Sequence, residues 1–291
     1  MSTVSILGST GMLGCSVAEA FSGFTGTVIG SSKRIDTNPS LGQSFFLDAT
    51  VPELPEALHK LGPADYLINC IGVIKPYISE NSAASRERAI LINSVFPYAL
   101  DVLASDLGFK IIQIATDCVF SGFKGKYLET DLHDAIDTYG KTKSLGEVPS
   151  ANMMNIRVSI IGPEVGRSTS LFEWVRNQPE NSEINGYSDH YWNGITAVGF
   201  ARICRGLIEN NGFVAGTHHL LPSDAMTKFE LVSAIATKSG RKDINIIEAP
   251  SGNKVDRTLA TTNESLNAQL WANAGYASIP SICELVAELE L

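Results

Sequence analysis

The chain has 291 residues, 44% of them hydrophobic and 18% charged, with a net charge of -9. That length suits one large domain with a smaller lobe, and no Pro, Gly or Ser tract argues for disorder. The acidic balance and the lack of any Lys/Arg cluster argue against a nucleic-acid partner, because affinity for phosphate backbones rests on clustered cations.

Met1 to Leu7 runs directly into an apolar strand pattern without a basic leader, and no stretch reads as long enough to cross a bilayer. The expectation is a cytoplasmic protein with no membrane partner. Cys15, Cys70, Cys118, Cys204 and Cys283 are scattered, with no C-x-x-C pair and no histidine at metal spacing. They read as reduced thiols, and no metal site is expected.

Short apolar runs alternate with helix-like segments, the pattern of a parallel sheet covered by helices on both faces. The expected fold is α/β, a Rossmann-type doubly wound parallel sheet with a smaller, irregular C-terminal substrate lobe. Strands are predicted at Val4 to Leu7, Thr27 to Ile29, Tyr66 to Ile71, Lys110 to Ala115 and Asn155 to Ser159. Between the third and fourth, Val95, Leu100, Leu103 and Leu107 fall near one helical face, and Gly108 suits a C-terminal cap. Asp137 or Thr138 is positioned to cap a helix from Tyr139 to about Val148, which Pro149 stops. Beyond Gly162 the alternation becomes irregular, with helices predicted at Ala197 to Ile208 and Lys228 to Ser239. The domain expectation is 1-163 for dinucleotide binding and 164-291 for the substrate lobe, with some segments of the lobe packing back on the first domain.

After the first strand comes Gly8-Ser9-Thr10-Gly11-Met12-Leu13-Gly14. Such a loop uses glycine where the backbone turns sharply and approaches a pyrophosphate, so that helix N-terminal amides meet negative charge. The second strand ends Gly30-Ser31-Ser32-Lys33-Arg34, with no carboxylate to hold a ribose 2′-hydroxyl. Two cations and two hydroxyls suit a 2′-phosphate, so NADP(H) is favoured with NAD(H) retained, although Lys33 and Arg34 also read as solvated loop charges near Asp36. Asp48 is placed either to meet the adenine amine or to make a turn.

Tyr139 and Lys143 stand four residues apart, on one face of the predicted helix. A lysine cation beside a phenol stabilises phenolate and brings the group closer to working pH. Thr116 ends an apolar strand at the sheet edge where ligands gather. A carbonyl held by the Thr116 hydroxyl and protonated by Tyr139 is the expected centre.

At these residues the chain resembles the extended short-chain dehydrogenases, and within them the dTDP-4-dehydrorhamnose reductase family. The likeness runs through Ile68-Asn69-Cys70-Ile71-Gly72, Ile92-Asn93, Ala115 to Gly122, Tyr127-x-Glu129-x-Asp131 and Tyr139 to Glu147, and fades after Gly162. The resemblance implies Thr116, Tyr139 and Lys143 as the catalytic triad. It implies Cys70, Ile71, Gly72, Asn93 and Lys143 at the cofactor, hydride transfer to a 4-keto-6-deoxy sugar nucleotide, and a lobe that binds the nucleotide. The family usually carries Tyr where this chain has Cys118 and Trp where it has Ile160, both facing substrate.

Cys118 keeps a second reading open, since the related GDP-fucose synthases use a cysteine at that spacing in epimerisation, paired with a histidine that is missing here from Gly162 to Arg176. A third, non-catalytic reading comes from the regulatory subunit of methionine adenosyltransferase, which is similar to this family. In the lobe, Trp192 and Arg257 are the substrate candidates alongside Cys118, with Trp174 and Arg167 as weaker ones. His218 and His219 read as strand or loop. Related enzymes often form homodimers through helical faces, which is the expectation for partners beyond the sugar nucleotide.

Overall fold

Five of the strand runs are buried along nearly their whole length, and a strand enclosed on both faces belongs to a parallel sheet covered by helices. In the computed structural model, which describes residues 2–32, 41–50, 64–164 and 169–290, that sheet has seven strands. They are β1 (Thr3–Leu7), β2 (Thr27–Ser32), β3 (Gln43–Phe46), β4 (Tyr66–Asn69), β5 (Lys110–Ala115), β6 (Met153–Arg157) and β11 (Gly216–His219). All pair in parallel, in the order β11-β6-β5-β4-β1-β2-β3. The strand order reverses at β1 and β4, and the crevice outside their carboxyl ends is where such sheets bind ligands.

One face of the sheet is covered by α1 (Met12–Ala20) and α6 (Ala197–Glu209), whose Val17, Phe200 and Leu207, with Phe21 at the end of α1, share a core with Ile6 and Ile156. Arg205 donates to the Ala20 and Ser22 carbonyls at 2.7 and 3.0 Å, closing the open end of α1. The other face is covered by a continuous helix built of α2 (Ala83–Ile90), a π turn (Leu91–Val95) and α3 (Phe96–Leu107). It places Phe96, Leu100 and Leu103 against Leu67 and Ile111. At 25 residues, with mean hydropathy 1.3, this helix is long and apolar enough for a membrane span, which amends the expectation that no stretch is. Its inner side is built into the core. The π turn also corrects the predicted face: Val95 points outward, because the wider turn shifts the register in which Phe96 comes inward, and Leu107, in the last turn of α3, is exposed as well. Gly108 caps the helix at φ 78° as expected.

Beyond Gly162 the chain alternates between two cores. A second core gathers Phe172 of α5 (Leu171–Arg176), Ile184 of β8 (Glu183–Tyr187) and Trp192 of β9 (His190–Trp192). To these it adds Leu231 and Ile235 of α7 (Lys228–Lys238) and Ile282 and Val286 of α9 (Ile282–Ala287). Short ribbons pair β7 (Ile160–Ile161) with β10 (Ile195–Thr196), and β12 (Met226–Thr227) and β14 (Val255–Asp256) with β9. β13 (Asn245–Ala249) pairs with β8. Meanwhile α6, β11 and α8 (Glu264–Asn273) pack back on the first core through Leu207, Leu266, Leu270 and Trp271. The division into 1-163 and 164-291 is therefore a proposal about chain order, with these segments crossing it.

Candidate active site

The loops at the carboxyl edge of β1, β4 and β5 are held by specific bonds. Gly8, at φ 79°, turns the chain out of β1, and the Gly8 and Ser9 amides both donate to the Ser31 carbonyl at 2.7 and 3.1 Å. A Cβ on Gly14 would stand 2.1 Å from the Gly8 oxygen, and one on Gly8 would stand 2.9 Å from Ile71. Glycine is required at both positions, because the first turn of α1 lies against the loop backbone. Gly11 occupies the N-cap without a side-chain cap, so the amides of Met12 and Leu13 open the helix with no side chain of the cap to receive them.

Beside this turn lies a cavity of about 180 Å³ whose lining includes Gly8, Thr10, Gly11, Ser32, Asp48 and the Cys70–Gly72 segment. Thr10 and Ser32 hydrogen-bond through their hydroxyls at its rim. Ser31 is buried behind it, and its carbonyl anchors the loop. Asp48 accepts from the Thr50 amide at 2.9 Å and hydroxyl at 2.6 Å while lining the cavity, so it makes a turn and faces the space at once. Lys33 and Arg34 lie outside the described residues, as does Arg167. Asn93 does not line the cavity. Its amide is committed to the Val73 amide and carbonyl at 2.8 and 2.9 Å and to the Thr142 hydroxyl at 3.1 Å. It fixes the Cys70–Val73 segment from behind. Similarly, Asn69 accepts from the Ile71 amide at 3.0 Å, which ends β4 two residues before the predicted limit.

Thr116 follows β5 and caps a tight turn, Asp117–Val119, accepting from the Cys118 amide and donating to Asp117, both at 3.2 Å. Against it comes α4 (Thr138–Leu145), begun by Asp137, which accepts from the Gly140 amide at 2.8 Å and pairs with Lys75 at 2.6 Å. A Cβ on Gly140 would meet the Cys118 carbonyl at 2.3 Å, so the helix touches the Thr116 turn backbone to backbone. That contact sets Tyr139 beside Thr116. Burial pushes the Tyr139 phenol up, with Cys118 adding to the shift and a bond to the Thr116 hydroxyl opposing it. Lys143, buried one turn on, donates to the Ile114 carbonyl at 2.7 Å. Burial draws its ammonium down to about 8, against the pull of Glu147.

Glu147 is itself clamped. Arg157 of β6 reaches both its carboxylate oxygens, from Nε at 2.9 and 3.0 Å and from Nη2 at 2.7 Å. The same guanidinium meets His133 Nε2 at 2.6 Å and His219 Nε2 at 3.1 Å. An arginine only donates, so both histidines accept there and carry their proton on Nδ1, bonding the Ser144 hydroxyl and the Ala260 carbonyl, each at 2.6 Å.

On the outer side of the Thr116 turn, Arg257 donates from Nε to the Phe120 carbonyl at 2.9 Å. Trp192 is buried, its indole donating to the Ser159 hydroxyl at 2.8 Å, with the Lys228 ammonium 5.3 Å from its ring centre. Lys228 and Arg257 both act electrostatically on Asp117 and Cys118, so the three substrate candidates Cys118, Trp192 and Arg257 share one neighbourhood. Trp174 is 40% exposed on α5. The Cys118 thiol is pushed up to about 12, chiefly by burial and then by Asp117. It is a neutral thiol at neutral pH. Sequence reasoning missed Lys228, Asp117, Lys75 and the Glu147–Arg157 clamp. Lys228 opens a helix, where a lysine reads as an ordinary surface residue.

A sheet with this order, a bare glycine turn at its reversal point and a Thr/Tyr/Lys cluster one strand away defines a doubly wound dinucleotide-fold protein of the extended short-chain dehydrogenase class. More narrowly, residues 1–288 match the family described as RmlD substrate binding domain, and the chain belongs to that family.

In sequence the chain is similar to methionine adenosyltransferase 2 subunit beta of Bos taurus, 27% identical over 247 residues that cover 80% of this chain and 71% of that protein. It is also similar to the spore coat polysaccharide biosynthesis protein SpsK of Bacillus subtilis (strain 168), 27% identical over 203 residues, 64% of this chain and 70% of that one. In structure it matches the dTDP-4-dehydrorhamnose reductase of Bacillus anthracis in complex with NADP with a TM-score of 0.78 at 19% identity, covering 99% of this chain and 98% of that one. The UDP-glucuronic acid 4-epimerase of Bacillus cereus, in complex with UDP-glucuronic acid and NAD, matches with a TM-score of 0.75 at 16% identity, covering 98% and 96%. These likenesses establish the fold.

Proposed function

We propose that the protein reduces the carbonyl of a keto-sugar nucleotide, a 4-keto-6-deoxy sugar, at the expense of NADPH. The observation that carries this reading is the contact of α4 with the turn after β5, which gathers Thr116, Tyr139 and Lys143 at the sheet edge beside the glycine cradle.

The cradle fits a dinucleotide. Gly8 and Gly14 leave backbone where any side chain would collide, uncapped amides open α1, and Ser32, Thr10 and Asp48 offer polar groups along the cavity. Ser31, Ser32, Lys33 and Arg34 favour a 2′-phosphate over a bare ribose, which makes NADP(H) the preferred form and leaves NAD(H) as a weaker one. When bound, the nicotinamide supplies hydride to the carbonyl carbon. Thr116 donates a hydrogen bond to the carbonyl oxygen and holds it against Tyr139. The phenol of Tyr139 gives that oxygen its proton, and the Lys143 ammonium stabilises the phenolate left behind until solvent reprotonates it. Cys118, Trp192 and Arg257 border the sugar.

The test is loss of NADPH absorbance with a panel of 4-keto-6-deoxy sugar nucleotides made in place by dehydratases. Oxidation by the native protein and none by Tyr139→Phe supports the reading. Thermal stabilisation by NADPH with no oxidation across the panel overturns it. That outcome favours a non-catalytic NADP-binding subunit, the reading to which the similarity with methionine adenosyltransferase 2 subunit beta lends weight. The epimerase alternative is weaker, because the Cys118 thiol is held protonated and no histidine follows between Gly162 and Arg176.

A further inference from the structure

We infer that His133 is a titratable tether of the active helix: neutral, it links Arg157 to Ser144 of α4 by hydrogen bonds, and on taking up a proton it lets that helix go. The inference rests on the reductase reading only for its effect on turnover.

His133 stands in the loop that runs from the Thr116 turn to α4. Its Nε2 lies 2.6 Å from Arg157 Nη2, and its Nδ1 lies 2.6 Å from the hydroxyl of Ser144, in the last turn of α4. A guanidinium keeps its protons at any working pH and accepts none, so Nε2 is bare and Nδ1 carries the proton that goes to Ser144. The ring is rigid, and a single orientation serves both bonds. Other groups hold the rest of the helix. Glu80 accepts from the Thr138 amide and hydroxyl at 2.9 and 2.6 Å in the first turn, and the Ser94 hydroxyl donates to the Thr142 carbonyl at 2.8 Å in the middle. His133 acts at the far end, on the residue next to Lys143.

A second proton on the ring has to sit on Nε2. It then sets an imidazolium N–H against a guanidinium N–H across 2.6 Å, donor to donor and cation to cation. The groups facing the ring do not repair this. Glu147, just beyond α4, is 3.8 Å from Nε2, but its oxygens already take three bonds from Arg157. Asp134, in the same loop as His133, is committed to the Ser121 amide and hydroxyl at 2.6 and 2.5 Å. The Phe120 ring, nearly perpendicular with its centre 5.6 Å away, brings no charge. His219 of β11 accepts from the same guanidinium at 3.1 Å and is 2% exposed, whereas the His133 side chain is 23% exposed and takes its proton from water first. Burial, with Arg157 adding to it, holds His133 below the usual histidine range against Glu147 and Asp134, so the change falls in acid. To escape Arg157 the ring turns Nε2 toward Glu147 or water, and Nδ1 leaves Ser144 with it. The new cation also draws on Glu147, the carboxylate that supports the Lys143 ammonium. Acid therefore frees the last turn of α4 and weakens the support of Lys143 together.

The experiment follows the His133 ring by NMR of the nitrogen-15-labelled chain from about pH 7.5 to about pH 4.5, a range that brackets an ordinary histidine. Hydrogen exchange of the α4 amides is measured over the same range, corrected for the intrinsic pH dependence of exchange, with α6 as the internal reference. In the native protein the ring passes from the Nδ1–H tautomer to imidazolium, and the last-turn amides of α4 exchange about tenfold faster in step with it while those of α6 do not, since a hydrogen bond of this kind is worth up to about that factor. His133→Gln accepts from Arg157 without titrating and gives up Ser144, so it shows the faster exchange at both ends of the range, as does Ser144→Ala. The kcat for NADPH oxidation falls through the same step in the native protein and shows no such step in His133→Gln. A ring that stays neutral down to about pH 4.5, α4 exchange that does not follow the ring, or a step that persists in His133→Gln overturns the tether. No turnover at about pH 7.5 with the exchange step intact overturns the reductase reading alone.

Discussion

Replacing Arg157 with Met tests whether the clamp behind α4 holds the active helix in place. Arg157 and Glu147 are each about 5% exposed in their side chains, and their ion pair is made at 2.7 Å with two further bonds from Nε. Methionine fills much of the same volume but leaves the Glu147 carboxylate buried without its cation, and it leaves His133 Nε2 and His219 Nε2 without a donor. Breaking a buried, hydrogen-bonded pair from one side costs about 3–5 kcal/mol, because the surviving charge keeps its desolvation penalty. For a chain of this size each kcal/mol moves the melting temperature by roughly 2–4 °C, so Arg157→Met should melt about 10 °C lower at pH 7. The double variant Arg157→Met with Glu147→Leu removes both charges and should recover most of that loss. Calorimetric or circular-dichroism melts of the two variants decide the matter. A loss below about 1 kcal/mol in the single variant, or a double variant no better than the single, refutes the clamp. In the native protein, nitrogen-15 spectra should also show both histidines as neutral Nδ1–H tautomers at pH 7.

Three further outcomes follow from the same structure. Lys143 has a folded-state pKa near 8 against an ordinary 10.5, so its burial weighs against the fold at full strength below pH 8, and the penalty fades as pH rises to 10.5. Lys143→Met should accordingly be more stable than the native protein at pH 7, by up to about 3 kcal/mol, with the advantage gone above pH 10.5 in paired denaturant titrations. Burial alone would raise Glu129, but bonds from the Thr261 hydroxyl and the Thr262 amide outweigh it and hold the carboxyl near 2. Its stabilisation is present above pH 4.5 and lost as pH falls toward 2, so Glu129→Gln should be less stable at pH 6 and show a flatter acid limb. Gly14→Ala should abolish binding of NADP⁺ in calorimetry, since its methyl would stand 2.1 Å from the Gly8 oxygen and force the turn open.

Much of the sheet was legible because its strands are buried on both faces and therefore read as unbroken apolar runs. β3 escaped because Gln43–Phe46 is an edge strand whose residues are mostly exposed, and β11 because Gly216–His219 is polar and short. The strand ends shifted where a side chain intervened, as when Asn69 takes the Ile71 amide and stops β4. Thr116, Tyr139 and Lys143 were visible because two of them share one helix and the third ends a strand. The Lys228–Arg257 pair was not. Its members lie 29 residues apart on α7 and after β14, and the ribbons on β9, with bonds from Asp256 to Gly122 and from Arg257 to Phe120, bring those segments together near the Thr116 turn. Nothing in local spacing encodes such a meeting. Arg157 and Glu147 were hidden for a similar reason, since one ends β6 and the other follows α4.

The energetic character of this site also bears on whether the protein turns over or only binds. A subunit that merely carries a dinucleotide needs the glycine cradle and not the buried phenol of α4. Such a subunit has no use for a lysine buried below its natural charge, nor for a phenol pushed up by burial beside a threonine hydroxyl. The buried Lys143 ammonium opposes folding at pH 7, and a hydrophobic residue of like size there would relieve it, whereas the raised Tyr139 phenol is neutral in folded and unfolded chain alike below pH 10. The clamp from Arg157 through Glu147 adds to the case, because Glu147 is the group that keeps the Lys143 ammonium from falling further. A buried lysine cation one turn along α4 from a buried phenol is explained by proton transfer and left without a purpose by binding alone. If Lys143→Met proves no more stable than the native protein at pH 7, that argument fails, and the case for catalysis falls back on the contact between α4 and the Thr116 turn.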